Sequence, residues 1–367
     1  MNINTKLEAD ASLITNIGIH FNLQGPIVSF SKIGSGHIHQ TFQLKSQNDS
    51  MLLQRINQNV FPNIEALQTN LRVIESHFRV HKELLDINKM NYLKLREATD
   101  KTLFNENTHS WRAFEWIEDS ESFDKAPNSD YAFEAALGFG RFIKILSYLP
   151  LSSLNSTIPD FHNGKKRWSE FELVLNRAGI NRKNTANDLI EFAQKQKNIL
   201  ISITEKLESG LIPIRLTHND TKLSNVLFHN DLAKVNCVID LDTVMPGSVL
   251  FDFGDMVRTI SCPANEDCDN EHEITINESY FEAICKGFAS ELKSIITKNE
   301  KKELLNGAKY MCLLIGLRFL TDYLNMDVYY PTKYENHNLI RARNQFKLVS
   351  ELVKKENTLI KTINNIF

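Results

Sequence analysis

The sequence predicts an α+β chain in two lobes: an N-terminal antiparallel sheet carrying one helix over residues 1–116, and a mainly helical part over residues 117–367. Three observations predict it. Apolar and polar residues alternate around Gly-rich punctuation in the first part. Apolar residues recur three and four apart through most of the second. The length of 367 residues also exceeds the usual size of one hydrophobic core.

The elements follow in order. PIVSFSKIGSGHIHQTFQLKS reads as two strands around the turn Gly34-Ser35-Gly36, and MLLQRIN as a third short strand. IEALQTNLRVIESHFRVHKELL places Leu67, Leu71, Ile74 and Phe78 on one helical stripe. Tyr92 to Leu95 and Thr108 to Ile117 are further strand candidates, parted by the polar Asn105, Glu106 and Asn107. Beyond them, helices are expected over Tyr131 to Tyr148, twice within Trp168 to Ser209 with a break near Ile180 to Asn184, and at about 275–296, 300–326 and 335–364. VNCVIDLD is a short buried strand, and the acidic stretch Cys262 to Glu273 is an exposed loop.

Composition narrows the function classes. Hydrophobic residues make up 42% and charged residues 24%, with 42 Lys+Arg against 45 Asp+Glu and a formal net charge of -3. No global basic field exists to draw in nucleic acid. The N-terminal stretch has no basic segment followed by an apolar run, so no signal peptide is expected. No membrane span is expected either, because no run of about 18 apolar residues occurs. The cysteines Cys237, Cys262, Cys268, Cys285 and Cys312 are odd in number and show no CxxC spacing, which predicts free thiols in a reducing cytoplasm.

Two polar clusters stand out. HNDTKLSNVLF (218–228) has an apolar entry, a polar turn and an apolar exit, and VIDLDTVMPGSVLFDFGD (238–255) is a buried strand ending in acids. Asp220, Asn225 and Asp240 together supply hard oxygen ligands, which suit Mg²⁺ completed by substrate phosphate. Each segment alone is equally well explained by turn formers and a capped strand end. The two in order, far downstream of a Gly-rich hairpin, are not.

The order His218-x-Asp220-x-Lys222-x-x-Asn225, then Asp240, resembles the catalytic and metal loops of the protein-kinase-like fold. With Ile239-Asp240, Gly247 and Asp252 it is most similar to the aminoglycoside phosphotransferase and choline kinase branch of small-molecule kinases. SGHIHQTF, LLQRIN with VFPN, VIDLDTVMPG and RFLTDYLNMDVYY resemble N-acetylhexosamine 1-kinases, and the resemblance runs over almost the whole chain.

The resemblance implies a bilobal kinase-like fold with ATP and Mg²⁺ between the lobes. It implies Asp220 as the catalytic carboxylate, Lys222 as a partner of the transferring phosphoryl group, and Asn225 and Asp240 as the metal ligands. His218 would organise the loop. Asp242, two residues beyond Asp240, has three open roles: metal shell, substrate contact or turn cap. Gly34, Ser35 and Gly36 would lie over the phosphates, and the backbone of Phe114, Glu115, Trp116 and Ile117 would hold the adenine. The third-strand lysine of protein kinases is missing. Gln54 and Arg55 occupy its place on opposite faces, with Lys32 and Lys45 on neighbouring strands and Glu65 or Glu75 as possible helix partners.

Acceptor specificity is expected from Arg318, Asp322 and Tyr323, with Arg318 and Asp322 four apart on one helix face and Tyr323, Tyr329 and Tyr330 as an apolar floor. The favoured acceptor is the anomeric hydroxyl of a free N-acetylhexosamine. The rivals are an aminoglycoside, choline or ethanolamine, homoserine or another sugar, and an inactive nucleotide-binding scaffold. A monomer or weak dimer with no nucleic-acid or membrane partner is expected.

Overall fold

A computed structural model describes residues 11–34, 38–87, 89–98, 103–106, 109–230 and 232–367. The chain divides into two units, residues 1–80 with 91–120, and residues 81–90 with 121–367. The division therefore falls after residue 120 rather than 116, and a ten-residue excursion, 81–90, belongs to the second unit.

The first unit is built on an antiparallel sheet of β1 (Ile27–Lys32), β2 (Gln40–Ser46), β3 (Ser50–Arg55), β4 (Phe104–Glu106) and β5 (His109–Glu115), in the order β1-β2-β3-β5-β4. Period-two alternation sorts its faces. Phe42, Leu44, Met51, Leu53, Trp111 and Ala113 share one face, which is covered by Leu13, Ile14 and Ile17 of α1 (Ala11–His20) and by Phe21. Sequence reasoning did not find α1. Its apolar stripe is present, but Ile14, Thr15, Ile17, Gly18 and Ile19 are weak helix formers, and such a helix exists because of the sheet it covers.

The amphipathic helix α2 spans Ile64–Val80 and buries Leu67, Leu71, Ile74 and Phe78. It stops at His81, and a separate short turn of helix follows over Lys82–Asp86, so the single helix expected to Leu85 is two. The strand expected over Tyr92 to Leu95 reduces to one bridge, Leu95 to Phe114.

The second unit is mainly helical, with α3 (Ser129–Leu146), α4 (Gly164–Arg177), α5 (Asn187–Glu208), α6 (Val249–Ile260), α7 (Glu278–Leu292), α8 (Lys298–Leu324), α9 (His337–Lys354) and α10 (Glu356–Ile366). The last two replace one expected helix, because Lys355 leaves helical geometry between them. Two small β-ribbons sit among the helices. The strand β6 (Arg215–Thr217) pairs with β9 (Met245–Gly247), and β7 (Val226–His229) pairs with β8 (Val235–Val238). Residues 218–225 run from β6 to β7 and residues 239–244 from β8 to β9, so the two polar clusters of the sequence join the same pair of ribbons.

Helix α8 is long and apolar enough to cross a membrane by length and composition alone, and 78% of its most apolar 18-residue window is buried inside the protein. It packs against α4, α5, α6 and α9. Its start is fixed by a capping box in which Thr297 and Glu300 satisfy each other's backbone amides. The Glu300 carboxylate, fully buried, also takes the Arg215 fork, with Nε at 2.7 Å and Nη2 at 2.9 Å. Glu300→Ala strands that guanidinium, so it is expected to cost about 3–5 kcal/mol in urea unfolding. A change below about 0.5 kcal/mol would show the pair to be dispensable.

Candidate active site

The loop from β6 to β7 is fastened before it presents anything. The Asp252 carboxylate, on the first turn of α6, accepts the His218 amide at 2.8 Å and the Asn219 amide at 2.7 Å. Burial raises Asp252 to about 7, against the pull of those two amides. The Thr221 hydroxyl donates to the Asp252 carbonyl at 2.6 Å, and the Thr243 hydroxyl donates to the His218 carbonyl at 2.7 Å. Asn219, in left-handed backbone at φ 63°, sends its side-chain amide to the carbonyls of Thr217 and Thr243. A side chain at Gly247 would fall inside contact distance of Asn219 Oδ1 and Thr217 Oγ1, so only glycine lets β9 approach here.

His218 is buried between Phe139 and Phe142. Its Nδ1 accepts the Asp220 amide at 3.3 Å, which leaves Nε2 to donate to the Ile239 carbonyl at 2.9 Å. Burial lowers its pKa, more than the nearby Asp220 restores, so the ring stays neutral. One imidazole thereby links the two loops.

On this frame Asp220, Lys222 and Asn225 come together. Lys222 Nζ lies 3.0 Å from Asp220 Oδ2, and Asn225 Nδ2 donates to both the Asp220 carbonyl and Oδ2 at 2.8 Å. Burial would raise Asp220, but the charge and hydrogen bond of Lys222 and the hydrogen bond from Asn225 outweigh it and hold the carboxyl down to about 2. Burial would likewise lower Lys222, and Asp220 with Asp240 overturns that, so its pKa is raised. Asp240 stands at φ 62°, directly after β8, close enough for its charge to act on both Lys222 and His218. Asp255 is buried beside them and held by Arg258 Nε at 2.8 Å.

The donor set fits a hard divalent cation. Asn225 spends its Nδ2 on Asp220, and its Oδ1 accepts no hydrogen bond among the described residues. Among the described residues no group of three or more His, Cys, Asp and Glu side chains is placed to hold a metal alone. Two protein oxygens, from Asn225 and Asp240, are the number Mg²⁺ takes when phosphate oxygens complete its shell. Asp242 is buried in the following turn, has partners of its own, and its carbonyl accepts the Thr157 hydroxyl at 2.7 Å. Of its three open roles, this placement in the packing of the turn speaks for the turn cap.

In the first unit, Gly34 closes β1 at φ 72°; Ser35 and Gly36 lie outside the described residues. Gln54 and Arg55 do point to opposite faces. Arg55 registers with Trp111, on the face that α1 covers, which removes it as the stand-in for the third-strand lysine. Gln54 registers with Arg112, whose Nε and Nη2 donate to Gln54 Oε1 at 2.9 and 2.6 Å. Arg112 is a cation that sequence reasoning missed; its signal is an Arg inside the otherwise apolar strand Trp111-Arg112-Ala113-Phe114. Among the described residues Glu75 pairs with neither side chain and accepts the Leu95 amide at 3.0 Å instead. Glu65, Lys32 and Lys45 are exposed. In the Phe114–Ile117 stretch, Phe114 is buried, the Glu115 amide is spent on the Lys94 carbonyl, and the Ile117 carbonyl accepts the Ser120 hydroxyl. The amides of Trp116 and Ile117 are what this backbone has left to offer a base.

Toward the end of α8, the expected polar trio separates. Asp322 and Arg318 do not pair. The Asp322 carboxylate accepts the amides of Tyr329 and Tyr330, both at 2.9 Å, and the Asn338 side chain at 3.0 Å. Asp322 therefore anchors the loop after α8 rather than meeting a substrate. Tyr323 is buried under the Arg182 guanidinium, 4.5 Å from its ring, and is a packing residue rather than a floor. Arg318 is different. Its guanidinium carbon lies 5.2 Å from the Phe161 ring, 5.6 Å from Tyr330 and 6.0 Å from Tyr329. Among the described residues it makes no hydrogen bond and no ion pair. Sequence reasoning missed Phe161 and its neighbour His162, which lie in an irregular segment with no periodic signal.

Comparison with known proteins gives the family and the fold. The phosphotransferase enzyme family (APH) matches residues 29–282. The structure of a microcompartment-associated aminopropanol kinase shares 13% identity and a TM-score of 0.62, over 96% of this chain and 99% of that one. An aminoglycoside phosphotransferase from Alicyclobacillus acidocaldarius shares 10% identity and a TM-score of 0.59, over 91% and 92% of the two chains. A choline/ethanolamine kinase family protein from Mesorhizobium loti shares 12% identity and a TM-score of 0.54, over 99% and 98%. At such identities the likeness is one of fold, the α+β protein-kinase-like fold. The family match covers well over half of the sequence, and the chain belongs to the phosphotransferase enzyme family.

Proposed function

We propose that the protein is an ATP- and Mg²⁺-dependent kinase of a neutral, hydroxyl-rich small molecule, with the anomeric hydroxyl of an N-acetylhexosamine as the acceptor. Asp220 accepts a hydrogen bond from that hydroxyl. The hydroxyl oxygen forms the new bond to the γ-phosphorus as the bond to the β–γ bridging oxygen breaks. The proton passes to Asp220, and ADP leaves. An anomeric hydroxyl is more acidic than an ordinary alcohol, which suits a carboxylate as weakly basic as Asp220. Lys222 stays charged and neutralises the moving phosphoryl group. Asn225 and Asp240 would hold Mg²⁺, which when bound offsets the negative charge of the phosphates. The backbone of Trp116 and Ile117 would serve the adenine.

The observation that carries the choice of acceptor is Arg318, a guanidinium between aromatic rings with its donors unspent. Such a group repels an ammonium and offers a fork to hydroxyl or carbonyl oxygens. In the 262–273 loop, Glu266 is bound by Arg258 at 2.8 Å and Asp267 faces His337 at 3.4 Å, so these two acids are already engaged. Tyr330 supplies an apolar surface beside Arg318.

The test is Mg²⁺-dependent ADP release with N-acetylglucosamine, N-acetylgalactosamine, glucose, choline, homoserine and kanamycin. Turnover is expected with the N-acetylhexosamines. Arg318→Ala is expected to raise their KM by about 10- to 100-fold, the worth of a charged hydrogen bond. Turnover with choline or kanamycin instead, indifferent to Arg318→Ala, would overturn the acceptor class and leave the kinase.

A further inference from the structure

His162 lies between the catalytic loop and Arg318, and the mechanism above does not use it. Its backbone is pinned, because the Tyr310 hydroxyl of α8 donates to the His162 carbonyl at 2.5 Å and receives the Gly164 amide at 2.8 Å. Its ring lies against Phe161, at 4.2 Å between centroids, and Phe251, at 5.3 Å. Its Nε2 lies 2.9 Å from the carbonyl of Asn219, the residue before Asp220. A carbonyl can only accept, so Nε2 carries the proton and Nδ1 presents a bare lone pair.

That Nδ1 is buried and has no hydrogen-bond partner. Burial holds the ring down to about 3, and the nearby Arg318 acts in the same direction, so protonation does not relieve the bare atom at working pH. A buried acceptor without a donor costs free energy and calls for a reason. The adjoining residue, Phe161, carries the Arg318 guanidinium on its ring, and ring faces hold that guanidinium without a directional bond. One bare acceptor and one set of unspent donors thus sit next to each other, beside the loop that ends in Asp220. A substrate reaches Nδ1 only if a neighbouring side chain turns aside, and Arg318, whose charge acts on this ring, is held by ring faces alone.

A secondary amide has the complementary pair, an N–H and a C=O on opposite sides of one plane. We propose that His162 is a specificity-determining residue that reads the acyl-amide N–H of the acceptor through Nδ1, while Arg318 donates to the amide carbonyl. This rests on the N-acetylhexosamine reading and adds the residue that separates an acetamido sugar from the corresponding hydroxy sugar. A site built around a hydrogen bond rejects the analogue that cannot make it, because its own polar atom is then left unpaired.

Two substitutions divide the ring's two nitrogens. His162→Gln keeps an N–H where Nε2 stands, and so keeps the bond to Asn219, while it removes the Nδ1 acceptor. His162→Asn keeps an acceptor where Nδ1 stands and removes the bond to Asn219. The readout is calorimetric affinity for N-acetylglucosamine, glucose and 2-deoxyglucose on the full chain, with thermal melting as the check on folding.

In the wild type, N-acetylglucosamine is expected to bind more tightly than either analogue. In His162→Gln its affinity is expected to fall by about 10-fold, with the affinities of glucose and 2-deoxyglucose changed by less than about threefold. His162→Asn is expected to keep the preference for N-acetylglucosamine while losing turnover. Wild-type preference retained in His162→Gln overturns the proposal, as does an equal loss for all three sugars. Equal wild-type affinity for N-acetylglucosamine and glucose overturns it too, and leaves a sugar kinase standing. Binding of none of the three, with ADP release from choline or kanamycin, overturns the N-acetylhexosamine reading and this proposal with it.

Discussion

Asp220→Asn is expected to lower kcat by about 10²–10⁴-fold, the range that a positioned base contributes, while acceptor KM changes little. Asparagine fits the same space and still reaches Lys222 and Asn225, so the loss measures the carboxylate and not the loop. The account also fixes the pH dependence. The working form is the ionised one, and in the folded protein the carboxyl is held down to about 2, below its ordinary range. The carboxylate is therefore ionised throughout pH 5–8. Burial pushes both His218 and His162 down, His162 to about 3, so His162 stays neutral there. Steady-state kcat between pH 5 and 8 should show no acid limb belonging to Asp220 or His162. A limb centred near pH 6, or an Asp220→Asn variant within about tenfold of the wild type, would put the base elsewhere.

Asp252→Ala is expected to be the most damaging change that touches no reacting atom. The Asp252 carboxylate is fully buried and accepts two consecutive amides of the catalytic loop. Removing it leaves both amides unpaired in the interior, at about 1–3 kcal/mol each. Urea unfolding should show a loss of about 2–5 kcal/mol, and kcat should fall as well because His218 and Asn219 lead directly into Asp220. Asp252→Asn keeps one acceptor oxygen and should lose about half as much stability. An Asp252→Ala protein as stable as the wild type would show that β6, β9 and Thr243 hold the loop without it.

The 218–225 loop is the part of this protein whose arrangement is most legible from sequence, for a physical reason. His218, Asp220, Lys222 and Asn225 lie within one turn, so their spacing along the chain is nearly their spacing in space. Asp240 is legible because it ends a short buried strand. The acceptor end is different. Arg318, Asp322 and Tyr323 share a helix, yet Asp322 serves amides seven and eight residues on and Tyr323 packs under Arg182, a residue 141 positions away. Helical spacing gives the face of a residue and says nothing of what folds back onto it. Phe161 and His162 come from an irregular segment whose only cue is tertiary. Arg112 was hidden by its strand: alternation gives its face, but its partner Gln54 is set by a β3–β5 register that no local pattern specifies. The helix α1 was missed because its residues favour a helix weakly, and the sheet beneath supplies the rest.

The most direct test of the central claim is ³¹P NMR of the product formed from ATP, Mg²⁺ and N-acetylglucosamine. The account predicts one new phosphomonoester resonance coupled to the anomeric proton, absent with Asp220→Asn. A phosphate coupled to the C6 protons would place the transfer on a different hydroxyl and contradict the anomeric assignment. No phosphorylated sugar at all, with ADP released from an amino alcohol or aminoglycoside, would contradict the account of the acceptor site built on Arg318.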